Sequence, residues 1–365
     1  MTIPSPPPTE PVDLAALGSL VRRPDEQARA DARARQLRLT KPPGALGRLE
    51  DLSVWLCGVQ GACPPRPLNR TRVVIFAGDH GIAEAGVSAF PPEVTAQMVR
   101  NFLAGGAAVN VLASHVGAGV RVVDMAVDDD LDGVPEDVTR YKIRRGSGRI
   151  DLEDALTYEE AERAFRAGMA ITDEEVDAGA NLLVTGDMGI ANTTPAAALT
   201  GIYTASDAAS VVGRGTGIDD RAWMRKTAAV RDAMRRARPA MTDGDVLRVL
   251  ATIGGADFAA MTGFLVQAAV RRTPVVLDGV VSGACALVAH RISYRAPDWW
   301  VAGHRSTEPA HTKALERLSL TPVIDYGLRL GEGTGALLAV PVLVAAQATL
   351  AEMATFDQAG VSDKG

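Results

Sequence analysis

One carboxylate stands in a glycine-rich turn, Gly331-Glu332-Gly333-Thr334-Gly335, between the apolar residues Leu328 and Leu330 and a long Ala/Leu/Val stretch that begins near Ala336. Glycines on both sides let a ligand approach the backbone closely. Apolar neighbours desolvate a carboxylate and raise its proton affinity, and a helix N-terminus directly behind it lowers that affinity. A carboxylate poised near neutrality is what a general base needs. The plainer reading is a loop acid that begins a helix, and this segment alone leaves both standing.

A second glycine-rich passage, Gly186-Asp187-Met188-Gly189-Ile190-Ala191-Asn192-Thr193-Thr194-Pro195-Ala196, runs from a strand into a helix. Free N–H groups and hydroxyls at such a helix start make a seat for a phosphate or carboxylate. The alternative is ordinary capping, since Asn and Thr are favoured N-caps. Gly254-Gly255-Ala256-Asp257 and His304-Arg305-Ser306 are weaker seats of the same kind. Asp79-His80, at a strand end, is expected to fix its loop by hydrogen bonds rather than to hold a metal or act in catalysis.

Other motifs fail. Asp128, Asp130, Asp132 and Gly133 match the opening of a calcium loop, but Thr139 stands at the twelfth position and Pro135 lies inside. Gly213-Arg214-Gly215-Thr216-Gly217 has its third glycine one residue early for a dinucleotide fingerprint, with no clear strand before it. There is no GxxxxGK[ST], no HExxH and no Gly-x-Ser-x-Gly.

The elements that must position these residues alternate. Strands are predicted at 72–77, 120–127, 181–185 and 274–278, and helices at 25–39, 46–59, 91–103, 158–178 and from 279 through His290. Alternation predicts a mainly parallel sheet covered on both faces, with ligands beyond the C-terminal strand ends. The loops there are 78–81, 186–189 and 278–279. The apolar stretch 335–351 is short for a membrane span, contains Pro341 and Gln347, and is expected to be a buried helix.

Composition sets the frame. The 365 residues are 47% hydrophobic with 36 glycines, enough for about two domains and a sizeable core. A net charge of −6 and the lack of a basic patch with interleaved aromatics speak against a nucleic-acid partner. Three cysteines without a CxxC speak against a disulfide framework or zinc ribbon and fit a reducing cytoplasm. Residues 1–11 are proline-rich without an apolar core, so no signal peptide is expected there.

Read together, these motifs resemble the nicotinate-nucleotide–dimethylbenzimidazole phosphoribosyltransferase family. The resemblance runs from Thr40-Lys41-Pro42-Pro43-Gly44-Ala45-Leu46-Gly47 through Ala77-Gly78-Asp79-His80-Gly81 and Phe90-Pro91-Pro92-Glu93-Val94-Thr95-Ala96-Gln97-Met98. It continues through Gly186 to Ala196, Gly254 to Asp257, Leu277-Asp278-Gly279 and Leu328 to Gly335. It implies a Rossmann-like three-layer αβα fold, with a large α/β domain at 71–330. A small helical domain would be built from both chain ends, 1–70 and 331–365. It implies transfer of phosphoribose from nicotinate mononucleotide to 5,6-dimethylbenzimidazole, giving α-ribazole phosphate and nicotinate for cobalamin lower-ligand assembly.

By the same resemblance Glu332 is the catalytic base. Phe90, Gln97, Met98, Met188, Leu330 and Gly331 would surround the acceptor base. The nucleotide would lie across Gly186, Asp187, Gly189, Asn192, Thr193, Thr194, Gly254, Gly255, Asp257 and Ser306, with Lys226 and Arg329 as phosphate partners. Many members carry Glu where this chain has Asp187, which leaves the role of a second carboxylate there open. No cofactor and no metal is implied, nor any membrane partner; the family is usually a cytoplasmic homodimer. Two alternatives stay open. One is a same-fold transferase with another acceptor, such as adenine, another benzimidazole or a phenol. The other is a non-catalytic nucleotide-binding relative.

Overall fold

In the computed structural model, which describes residues 11–362, five strands form one parallel sheet. They are β1 (Thr71–Gly78), β2 (Gly119–Ala126), β3 (Leu182–Met188), β4 (Val275–Leu277) and β5 (Trp300–Ala302), in the spatial order β2-β1-β3-β4-β5. β3 pairs with β1 along its whole length, Thr71 against Leu182 through Ala77 against Met188. The order reverses between them, which places the ligand crevice beyond the ends of β1 and β3.

Side chains alternate across the sheet, as strand geometry requires. Val74 and Phe76 of β1 face a core shared with the helices Tyr158–Asp177, Thr193–Thr204, Asp220–Asp243, Ala256–Val270 and Val280–Ile292. Val73, Ile75 and Ala77 face the opposite core, beneath Arg48–Gln60, Val94–Ala104, Ala108–His115 and Thr334–Glu352. The result is the three-layer αβα architecture that the alternating pattern predicts.

Helices near both ends of the described residues meet at one corner. Helix Glu26–Arg38 packs on Arg48–Gln60, and Arg35 Nε donates to the Leu350 carbonyl at 2.7 Å. Leu39 bridges Thr355 antiparallel, and Ala28, Ala32, Leu39, Cys57 and Leu350 share a small core. The helix Thr334–Glu352 belongs to this corner and to the sheet at once, because Ala336, Leu337, Val340 and Leu343 lie in the sheet core. Among the described residues it is the one helix long and apolar enough to cross a membrane by length and composition. Its sheet-facing residues are buried in the core, as expected for the apolar stretch. Residues 1–10 of the proline-rich segment lie outside the described residues.

The acidic loop after β2 has a cation of its own. Lys142 Nζ donates to Asp124 Oδ2 at 2.9 Å, to the Val127 carbonyl at 2.7 Å and to the Asp129 carbonyl at 2.6 Å. Carbonyls that a calcium loop would turn toward a metal are held by an ammonium.

Candidate active site

Glu332 lies in a left-handed turn. Its φ is +65°, between Gly331 at +84° and Gly333 at +89°. The turn is pinned from below by Asp278, the residue that follows β4: its Oδ2 accepts from Gly333 N at 3.2 Å and its Oδ1 from Ala336 N at 2.9 Å. Asp278 thereby satisfies free N–H groups at the start of the Thr334–Glu352 helix, and His304 Nε2 lies 3.5 Å from its Oδ1. Gly186 of β3 forms the floor. A Cβ there would sit 2.6 Å from the Glu332 carbonyl oxygen, so a side chain would displace the turn.

Glu332 is 5% exposed, and its Oε2 accepts no hydrogen bond from the described residues. Burial, followed by the nearby Asp278 carboxylate, raises its pKa to about 7, while the Val109 N–H opposes the rise. Of the two effects anticipated from the sequence, burial wins. The opposing N–H belongs to the start of Ala108–His115, a helix the sequence reading did not identify, rather than to the helix behind the turn.

Asp187, at the end of β3, accepts from Asn192 Nδ2 at 2.8 Å. Burial first, and then the Asp278 charge, hold its pKa well above the ordinary range against the pull of that hydrogen bond, with Asp257 and Glu332 adding to the rise. Buried like charges cannot all ionise together, so this carboxyl group retains its proton more readily than a free aspartate.

The helix start Asn192-Thr193-Thr194 is not a cap. Asn192 makes no capping bond and turns to Asp187. Thr193 Oγ1 accepts from Lys226 Nζ at 2.7 Å, and Thr194 Oγ1 is buried without a partner among the described residues. Lys226 is fully buried, and burial lowers its pKa to about 8 against the opposing effect of Glu308. Glu308 Oε1 accepts from Gly215 N at 2.8 Å, and an Arg329 guanidinium N–H donates to the Gly215 carbonyl. The Gly213–Gly215 loop thus gathers Lys226, Thr193, Glu308 and Arg329. The sequence points to the two cations and to the glycine spacing of this loop, but Glu308, 93 residues from Gly215, carries no local signal.

The remaining candidates divide. Met98 and Met188 are half-buried, whereas Phe90, Gln97 and Leu330 are exposed. Gly189 packs against Gly78 and His80. The Gly254–Asp257 segment lies in the interior. Expected as an anion seat, it is buried around a His–Asp pair: His80 Nε2 lies 3.1 Å from Asp257 Oδ2, and a Cβ on Gly255 would lie 2.6 Å from Asp257 Oδ1. Gly255 makes room for that pair, and Gly254 packs against Leu250. Burial opposes charge on His80, but the Asp257 charge and hydrogen bond outweigh it and raise the pKa. Asp79 Oδ2 accepts from Asp128 N at 2.9 Å, the loop-fixing role expected for Asp79-His80. Ser306 is buried as well: its N–H donates to His311 Nδ1 at 2.9 Å, and its Oγ accepts from Glu308 N at 3.3 Å. Burial lowers the His311 pKa to about 3, so the ring stays a neutral acceptor.

The geometry therefore joins a buried carboxylate that titrates near neutrality to a lysine–threonine seat suited to an anion, both at the C-terminal ends of the strands. Comparison with known proteins bears on that arrangement. Residues 21–361 match the family model described as "Phosphoribosyltransferase". The chain is 61% identical over 344 residues to the nicotinate-nucleotide–dimethylbenzimidazole phosphoribosyltransferase of Mycobacterium avium (strain 104), covering 94% of this chain and 97% of that protein. It is 57% identical to the protein of the same name from Streptomyces avermitilis, covering 94% and 91%. The crystal structure of CobT from Thermus thermophilus is similar with a TM-score of 0.88 at 44% identity, covering 93% of this chain and all of that one (100%).

Proposed function

Since the chain belongs to the nicotinate-nucleotide–dimethylbenzimidazole phosphoribosyltransferase family, we propose that it moves the phosphoribosyl group of nicotinate mononucleotide onto 5,6-dimethylbenzimidazole. One ring nitrogen of the acceptor attacks C1′ of the ribose as the bond from C1′ to the nicotinate nitrogen breaks. The bonding pair returns to the pyridinium, which leaves as a neutral ring and needs no general acid. The acceptor's other N–H proton passes to Glu332. The observation that carries this reading is the buried, unsatisfied Glu332 Oε2, on a carboxylate with a pKa of about 7. The reading is tested by incubating the protein with both substrates in chelator-treated buffer and following released nicotinate. No release would overturn it.

If Glu332 is the base, kcat/KM rises with pH through about 7 and then levels, because only the carboxylate form accepts a proton. A flat profile from pH 5.5 to 8.5 would remove Glu332 from that role.

Lys226 and Thr193 are assigned to the nucleotide's phosphate in this reading, supported by their 2.7 Å contact at a helix N-terminus. Replacing Thr193 by Val should weaken nicotinate mononucleotide by about ten- to a hundred-fold, as expected for a hydrogen bond to a charged group. Dimethylbenzimidazole affinity should change much less. Calorimetric titration of each ligand separates the two, and equal losses for both would argue against a phosphate role.

The half-buried Met98 and Met188 are assigned to the walls of the acceptor pocket, with Phe90 and Leu330 folding over the flat base. We assign the enzyme to the cytoplasm, in keeping with its free cysteines. We also propose that it works as a homodimer. Val111 and Val344 are 64% and 39% exposed on the packed helices Ala108–His115 and Thr334–Glu352, and a second copy is the natural cover for such an apolar face. Light scattering at micromolar concentration tests this.

A further inference from the structure

We infer that the N-terminal end of the sheet carries a second anion site, for a small molecule bearing at least two phosphate groups. A cavity of about 820 Å³ lies where the chain enters the strands, bordered by Asn69 before β1, Asn181 before β3 and Pro274 before β4. It is therefore at the opposite end of the strands from Glu332, Asp187 and Asp278, and the inference does not depend on the proposed reaction. A volume of this size falls in the range of small-molecule sites.

Four arginines line the cavity: Arg22, Arg23, Arg66 and Arg272. Among the described residues none forms an ion pair, and the side chains of Arg22, Arg23 and Arg272 make no hydrogen bond. Arg66 makes one, from Nη2 to the Gln60 carbonyl at 3.1 Å. The contrast with the adjacent residue is direct. Arg271 is tied to Asp173 at 2.6 Å and to Asp177 at 2.5 Å, whereas Arg272 takes a left-handed φ of +55° and borders the cavity. The one acid in the lining, Asp25, is engaged in capping, its Oδ1 accepting from Ala28 N at 2.8 Å.

In a chain of net charge −6, four cations gathered around one cavity without carboxylate partners set up a local positive field. Guanidinium groups present planar forks that match phosphate oxygens in pairs. They come from three separate chain segments, so a ligand with a single phosphate would engage only part of the set. The competing description is a group of solvated surface cations, which would bind polyanions no better than ionic strength dictates.

The test is calorimetric titration of the full chain with inorganic pyrophosphate at fixed ionic strength, in the parent and in an R66Q/R272Q double variant. Any pyrophosphate held near Lys226 contributes equally to both proteins. The expected result is at least a ten-fold loss of affinity for one class of site in the variant, with the melting temperature of the free protein and the rate of phosphoribosyl transfer unchanged. An R22Q/R23Q variant, altered in a different segment, should show the same loss; it keeps the test decisive if the first variant is destabilised. Inorganic phosphate should bind the parent at least ten-fold more weakly than pyrophosphate. Superimposable parent and variant isotherms would overturn the site, and equal affinity for phosphate and pyrophosphate would overturn its two-phosphate character.

Discussion

Glu332→Gln is expected to lower turnover by about 10²-fold or more while leaving both substrates bound. Gln keeps the shape of the side chain and removes its basicity, and general-base help is typically worth about 10²–10⁴-fold. The loss should fall on kcat and not on KM, because the contribution is made during proton transfer. A stability readout accompanies it. Glu332 is held up to about 7 from an ordinary 4.5, so the folded chain binds its proton more tightly than the unfolded chain does. Its contribution to stability is therefore fully present below about pH 4.5 and is lost as pH rises through about 7, by up to about 3 kcal/mol. The Gln variant, which never ionises, should melt above the parent at pH 8 and approach it at pH 5. Full activity in the variant, or a melting difference independent of pH, would contradict this account.

Asp278→Ala should have an effect nearly as large by a different route. It strips the acceptors from the Gly333 and Ala336 N–H groups, and each buried group left unpaired costs about 1–3 kcal/mol. A stability loss of about 2–4 kcal/mol is expected, with a rate loss of about 10²-fold as the Glu332 turn loosens. Destabilisation alone would not identify a positioning role, so the informative variant is Asp278→Asn. Asn keeps an acceptor oxygen but removes the charge that helps raise the Glu332 pKa. The rising limb of kcat/KM should move to lower pH in that variant. An unmoved limb with lowered activity would assign Asp278 a purely structural part.

What the sequence made legible was local. Strands β1 to β4 were legible as short, mainly apolar runs bounded by turn residues. β5 was not, because three residues, Trp300–Ala302, carry no period. Helix Ala256–Val270 escaped for the opposite reason: almost every residue is buried, so it shows no polar stripe to mark its turns. The catalytic candidate was legible because its glycines are its immediate neighbours. Its support was not. Asp278 lies 55 residues from Gly333, and Asp257 lies 177 residues from His80. Nothing in spacing or composition pairs such residues. The capping alternative for Thr193 likewise had no way to fail in the sequence, since the lysine that claims its hydroxyl arrives from a helix 33 residues on.

The left-handed backbone at Glu332 sets folding and chemistry against each other at a single codon. A non-glycine residue at φ +65° carries a penalty of about 1–2 kcal/mol that glycine would not. Drift toward Gly-Gly-Gly at this turn is therefore downhill for folding and opposed only by the need for the carboxylate. In any lineage that descends from this chain, the identity of residue 332 works as a record of use. A descendant that no longer needs the carboxylate is free to relax to glycine and fold the better for it, and one that has kept glutamate is still being held there by what the side chain does.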